Sequence, residues 1–182
     1  MPADPLGSSL LILARNAIGR HFAAPPRPVA PHPALSALAA TFVTLTQSGQ
    51  LRGCIGSLEA HRPLAEDVAE NAVAAAFRDP RFAPLPADEF QQTRIEVSLL
   101  ETASAMTYSD EADLLRQLRP DLDGLILRFG NHRATFLPQV WESLPEPRRF
   151  LNQLKLKAGL PADFWDQRIA FSRYGVQKWK EN

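Results

Sequence analysis

Thr41-Phe42-Val43-Thr44-Leu45-Thr46, Gln47-Ser48-Gly49-Gln50 and Leu51-Arg52-Gly53-Cys54-Ile55-Gly56 follow one another without a break, and their reading decides the fold. The first run is β-branched and aromatic and the second carries turn chemistry, so the three together predict a β-hairpin. Period-two alternation places Arg52 and Cys54 on one face of the second strand, and Leu51, Gly53 and Ile55 on the other. Cys54 is the chain's single cysteine and stands between Gly53 and Gly56. Glycine inside a strand gives up packing, and usually marks a bulge or a close approach of backbone or ligand. Two of them around a thiol suggest a sulfur and peptide N–H groups left open to an incoming group. A guanidinium on the same face would favour the thiolate. The plainer alternative is a free cysteine acting as a small buried hydrophobe.

Outward from the hairpin, the chain alternates helices and strands without a regular βαβ rhythm. Leu10, Leu13, Ala14, Ala17 and Ile18 form a helical stripe over Leu10 to Arg20, with Ser8 or Ser9 as cap. Residues 23–33 hold five prolines in eleven positions, an extended semi-rigid arm. The arm reads either as a connector or as a strap bordering a groove. Helical spacing of Leu64, Val68, Ala72, Val73 and Ala76 predicts a helix over 63–77, stopped by Asp79-Pro80. Ala87–Phe90 suggests one helical turn, and Arg94–Leu100 a strand. A helix capped by Ser109 runs through Leu118. Gly124–Phe129, the turn Gly130-Asn131 and His132–Leu137 predict a second hairpin. A short helix at Pro138, a helix over roughly 147–158 stopped by Gly159, a turn at 161–165 and a last strand over 168–174 complete the pattern. This is α+β: a mostly antiparallel sheet flanked by helices.

Composition bounds the function. The chain has 182 residues, 45% hydrophobic and 22% charged, enough for one cored domain of ordinary character. Twenty basic residues balance twenty acidic ones, which gives no support to a nucleic-acid or acidic-membrane partner. A lone cysteine forms no intrachain disulfide, the N-terminus lacks a signal-peptide pattern, and no apolar run approaches the ~20 residues of a membrane span. The expected compartment is the cytoplasm. Four scattered histidines and one thiol match no zinc spacing, so no metal is expected, and the sequence names no cofactor.

Five blocks resemble the AMMECR domain family, in the order that family shows. They are the hexapeptide Leu51–Gly56, Ala75-Ala76-Phe77-Arg78-Asp79-Pro80-Arg81-Phe82, Ile95-Glu96-Val97-Ser98-Leu99-Leu100, Ala134–Glu142, and Phe150-Leu151 through Lys157-Ala158-Gly159-Leu160. The resemblance covers residues 9–180 as one domain with a small subdomain that the sequence does not delimit. It implies a larger and a smaller subdomain with the hexapeptide lining a cleft between them. It also implies membership of the AmmeMemoRadiSam system, whose name pairs such proteins with a Memo-like protein and a radical S-adenosylmethionine (SAM) enzyme. The family carries no settled activity to this chain.

The candidate site follows from the residues. Cys54 would act as nucleophile or covalent acceptor if a base stands near. Arg52 would clamp an anionic group or be a surface residue. His61 and His132 are the candidate bases, each also readable as a solvent-facing turn residue. Gly53, Ile55 and Gly56 would line the cleft. Asp79 and Arg81 bracket Pro80, either as an ion-paired helix stop or at the cleft mouth. Glu96, in an apolar strand, would need Arg52 or Arg94 as a partner if it faces inward. Gln139, near Trp141, would offer an amide to a small-molecule or peptide ligand, while Trp141 more simply fills the core. Two functions remain open: an enzyme or enzyme component using Cys54, and a binding or adaptor module without turnover.

Overall fold

A computed structural model describes residues 4–182, with five helices and nine strands among them. The chain divides into two compact units, one formed by residues up to Leu100 together with Gln177–Asn182 and the other by Glu101–Val176.

The first unit is a sheet covered on one face by two helices. Helix α1 (Pro5–Gly19) starts earlier than its apolar stripe suggests. Asp4 is the cap, accepting the Leu6 N–H at 3.0 Å, and Pro5 occupies the first helical position, where its missing N–H costs nothing. Ser9, expected as a cap, instead donates its hydroxyl to Ala30 of the proline arm at 3.0 Å. Strands β1 (Leu38–Gln47) and β2 (Gln50–Gly56) form the predicted hairpin. Its turn residues Ser48 and Gly49 both have positive φ, 49° and 78°, as a tight turn matched to strand twist requires. Then come β3 (Arg62–Pro63), α2 (Leu64–Phe77), α3 (Ala87–Phe90) and β4 (Arg94–Leu100).

The sheet order is β2-β1-β4-β9, with β3 also on β1. Strand β9 (Val176–Lys180) is absent from the sequence reading. Its lysines and glutamine hide the pattern, and its anchor is Trp179, which packs against the helix core and donates Nε1–H to Asp4 at 2.7 Å. Val43, Leu45, Ile95 and Val97 are fully buried against Leu10, Ala14 and Ile18 of α1 and Leu64, Val68 and Ala72 of α2. Burial of each large aliphatic side chain contributes about 1.5–3 kcal/mol.

A polar knot ties these layers. Asp67 of α2 is completely buried. Its Oδ2 accepts from the Thr41 N–H and hydroxyl, both at 2.7 Å, and from the Asn71 amide at 3.0 Å. Its Oδ1 accepts from the Ser57 hydroxyl at 2.6 Å and from Arg62 Nε at 2.8 Å. One carboxylate thereby joins α2 to β1, to β3 and to the residue after β2, and no buried side-chain nitrogen or oxygen is left without a partner among the described residues.

The second unit contains β5 (Ser104–Ala105), α4 (Glu111–Gln117), β6 (Gly124–Phe129), β7 (His132–Phe136), α5 (Pro147–Lys157) and β8 (Ala170–Tyr174), with sheet order β5-β8-β6-β7. Asp110, not Ser109, caps α4, accepting the Asp113 N–H at 2.8 Å. Trp141 and Phe150 stack at 3.7 Å in the core, and Trp141 Nε1 donates to the Asp123 carbonyl at 2.8 Å. Lys155 of α5 is fully buried. Its ammonium donates to Glu111 at 3.0 Å and to the Ala162 carbonyl, so the partner across α4 sets its burial.

Replacing Asp67 by Ala leaves Arg62 and four hydrogen-bonding groups without their acceptor. Urea denaturation of Asp67→Ala is expected to show a loss of about 3–5 kcal/mol, whereas an exposed pair such as Arg78–Glu70 should contribute under about 1 kcal/mol.

Candidate functional site

The surroundings of Cys54 begin with a departure from simple hairpin arithmetic. Gln47 pairs with Gln50 and Thr46 with Leu51, but Leu45 pairs with Gly53, so Arg52 has no partner on β1. This is a one-residue bulge. Beyond it, Thr44 faces Cys54 and Val43 faces Ile55. Without the extra residue Cys54 would stand opposite Val43, on the buried side. The bulge instead turns Gly53 and Ile55 toward the helices and Cys54 away from them. Leu51, expected on the side of Gly53, stands opposite Thr46. Ile55 packs against the helix-covered core, so it does not line a ligand surface on the Cys54 face.

Both glycines have packing reasons. A Cβ on Gly53 would lie 2.1 Å from the Ala75 carbonyl oxygen, because α2 sits flush on the strand there. A Cβ on Gly56 would meet the Phe42 ring at 2.2–2.5 Å. These contacts, rather than room for an incoming group, account for the two residues around the thiol.

Strand β2 is an edge strand, and an edge leaves alternate N–H and C=O groups without a neighbouring strand. At Cys54 the Asp79–Arg81 pair takes that neighbour's place. The Cys54 N–H donates to Asp79 Oδ2 at 2.9 Å, and Arg81 Nη2 donates to the Cys54 carbonyl at 3.2 Å. Arg81 also grips both Asp79 oxygens, Nε to Oδ1 at 3.0 Å and Nη2 to Oδ2 at 2.7 Å. The bond from Arg81 holds the Asp79 carboxyl well below the usual carboxylate range against the opposing effect of burial, and the Cys54 N–H adds to it. Arg81 is pushed above its ordinary value, first by Asp79 and in smaller part by the nearby Cys54. Asp79 and Arg81 thus form the expected ion pair just beyond α2, and that pair holds the backbone of the thiol.

Arg52 does not clamp the thiol. Its Nε donates to Glu89 at 2.9 Å and its Nη1 to the Ala83 carbonyl at 2.9 Å, so its charge is used at the bulge. Gln47 shares the same Glu89 oxygen at 2.9 Å, and these two bonds, Gln47 first, lower the Glu89 pKa. The guanidinium bonded to Cys54 belongs to Arg81.

Side chains on the Cys54 face form a row across three strands. Cys54 stands opposite Thr44, and Thr44 opposite Glu96. Directly opposed residues share a face with Cβ atoms about 4.5–5.5 Å apart. Thr44 Oγ1 lies 3.3 Å from the sulfur, within hydrogen-bond range. All three residues are half-buried. Neither expected partner of Glu96 pairs with it: Arg52 is held by Glu89, and Arg94 is exposed. Sequence reasoning missed Thr44, because only the bulge makes it the residue across from Cys54.

The histidines lie apart in bonding terms. His61 is exposed, with Nδ1 at 2.9 Å from the Glu59 carbonyl oxygen of its own loop. His132 is in the second unit, where Nδ1 lies 2.8 Å from the Ala158 carbonyl oxygen beside the end of α5. Neither hydrogen-bonds Cys54. Gln139, also in the second unit, is exposed. Among the described residues no group of three or more His, Cys, Asp and Glu could hold a metal ion, and no helix is long and apolar enough to cross a membrane.

Two antiparallel sheets with helices, and a thiol strapped at a sheet edge, define the class. The AMMECR1 sequence profile matches residues 11–179, and the chain belongs to that family. A protein of Methanothermobacter thermautotrophicus is 37% identical over 147 residues, covering 78% of this chain and 74% of its own length. Protein LS215_2104 of Saccharolobus islandicus is 36% identical over 180 residues, covering 94% and 79%. The crystal structure of uncharacterized protein PH0010 from Pyrococcus horikoshii superposes with a TM-score of 0.82 at 30% identity, covering 98% of this chain and 93% of that one.

The sign of the Asp79 effect follows from its lowered pKa. The contribution is complete above the unfolded-state value of about 3.9 and is lost as pH falls through the lower folded value. Asp79→Asn is expected to lower stability at pH 7 by about 1 kcal/mol, modest because Arg81 is largely solvated. It should also flatten the decline below about pH 4. Denaturant melts from pH 7 down to 2 measure both.

Proposed function

We propose that this protein is an enzyme component in which Cys54 accepts a small acyl group, with Thr44 and Glu96 serving its proton. The observation that carries the reading is the Cys54–Thr44–Glu96 row on the sheet face turned away from α1 and α2. The Cys54 S–H proton passes by way of the Thr44 hydroxyl to the Glu96 carboxylate. Sγ then bonds to the acyl carbon, the bond from that carbon to the leaving group breaks, and the leaving group takes the proton from Glu96. Asp79 and Arg81 act as positioning residues, since they touch only the Cys54 backbone. The family resemblance supplies the expected partners, a Memo-like protein and a radical SAM enzyme, as the source or destination of the group.

Iodoacetamide labelling tests the row. Cys54 should react at pH 7 about tenfold faster than a free cysteine peptide, and Thr44→Val and Glu96→Gln should each return the rate toward that of the peptide. A wild-type rate and pH profile equal to those of the peptide would remove the enzyme reading.

The second reading, a binding or adaptor module for the same partners, is favoured by the packing origin of both glycines and the absence of a histidine bonded to Cys54. Co-purification with a Memo-like protein that survives Cys54→Ser, together with an ordinary thiol rate, would select it.

A further inference from the structure

The proline arm has no part in the site above, yet it is built into the first unit with care. The Asn16 side chain donates to the Arg27 carbonyl and accepts the Arg27 N–H, each at 2.8 Å, and the Ser9 bond to Ala30 pins the arm further along. Between arm, helix α1 and the segment from Phe90 to Arg94 lies a cavity of about 590 Å³. That volume falls within the range of small-molecule sites, about 300–1,000 Å³. A wall already fixed by prolines and three hydrogen bonds would lose little freedom on binding.

Basic side chains outnumber acidic ones in this cavity. Among the described residues, Arg15, Arg27 and Arg94 line it, against one acidic side chain, Glu181, and the chain end at Asn182. Glu181 is committed to Arg15, which also donates to the Phe90 carbonyl at 3.0 Å and the Thr93 carbonyl at 2.7 Å and lies 4.9 Å from the Phe90 ring centroid. Arg27 and Arg94 are exposed, and neither guanidinium has a hydrogen bond or ion pair among the described residues. Two guanidiniums without a side-chain partner among the described residues therefore share this cavity with Phe90 and Pro25.

We infer that this cavity binds a small organic oxyanion, with Arg27 and Arg94 gripping its charged oxygens and Phe90 and Pro25 bordering its carbon skeleton. Guanidinium forks match the oxygen spacing of phosphate and carboxylate alike, so the shared chemistry is a multiply charged oxyanion. Cys54 does not line this cavity, and the inference stands independently of the proposed reaction.

Titration calorimetry of the full chain at low salt, with glycerol 3-phosphate, citrate and neutral glycerol as probes, tests it. One of the two anions should bind with a Kd below about 1 mM while glycerol does not, and the anion that binds identifies the source as phosphate or carboxylate. Arg27→Gln and Arg94→Gln should each weaken binding at least about fivefold, with the double variant weaker still. Arg78→Gln and Cys54→Ser should leave it unchanged. Since Arg27 and Arg94 make no side-chain bonds in the fold, their variants should melt with the wild type. Failure of both anions to bind, or equal binding by the Arg27→Gln, Arg94→Gln double variant, overturns the inference.

Discussion

One extra residue in β2 controls the rest. A hairpin closed by a two-residue turn has a strict register, and a slip of one position exchanges the two faces of a strand. By inserting Arg52 without a partner, the strand turns Gly53 and Ile55 toward α2 and presents Cys54 on the other side. The bulge is held from both sides. The Arg52 guanidinium is spent on Glu89 and Ala83, and Gly53 lets the Ala75 backbone approach where no side chain fits.

Two carboxylates then fix what the bulge has oriented. Asp67 is buried and joins the far end of the hairpin to α2, while Asp79 reaches the open edge of β2 and supplies there the acceptor that a neighbouring strand would have supplied. Arg81 completes this substitute strand by donating to the Cys54 carbonyl. Edge strands are a hazard for unwanted pairing, and an ion pair with directed donors and acceptors covers the edge without adding chain. The Cys54 backbone is thereby immobilised by groups that leave its sulfur facing Thr44.

The chemistry available around the sulfur differs from a cysteine–histidine arrangement. A hydroxyl and a carboxylate occupy the neighbouring strands, and the histidines are bonded to loop and helix-end carbonyls. The proposed role for the thiol draws on these two neighbours for its proton. The cavity beside the proline arm concerns other residues, and the one acidic side chain lining it, Glu181, is paired with Arg15.

By itself the sequence determined the α+β class, both hairpins, the helices after residue 63 and near residue 150, and the family, because these rest on local periodicity, turn residues and contiguous motifs. It also singled out Cys54, with Arg52, His61 and His132 as its chemical partners and Asp79, Arg81 and Glu96 among the residues expected to line a cleft. Tertiary structure alone decided which of them meet. Thr44 became the neighbour of Cys54 only through a bulge whose supports, Glu89 and Ala75, lie more than twenty residues away in sequence. Arg81 keeps the expected ion pair with Asp79 but also reaches the Cys54 carbonyl, whereas Arg52 goes to Glu89, the carboxylate that packing brings within reach, and β9 emerged because Trp179 found its place against a helix at the opposite end of the chain. Side-chain pairing across distant segments is set by register and burial together, and neither is written in any local stretch of residues.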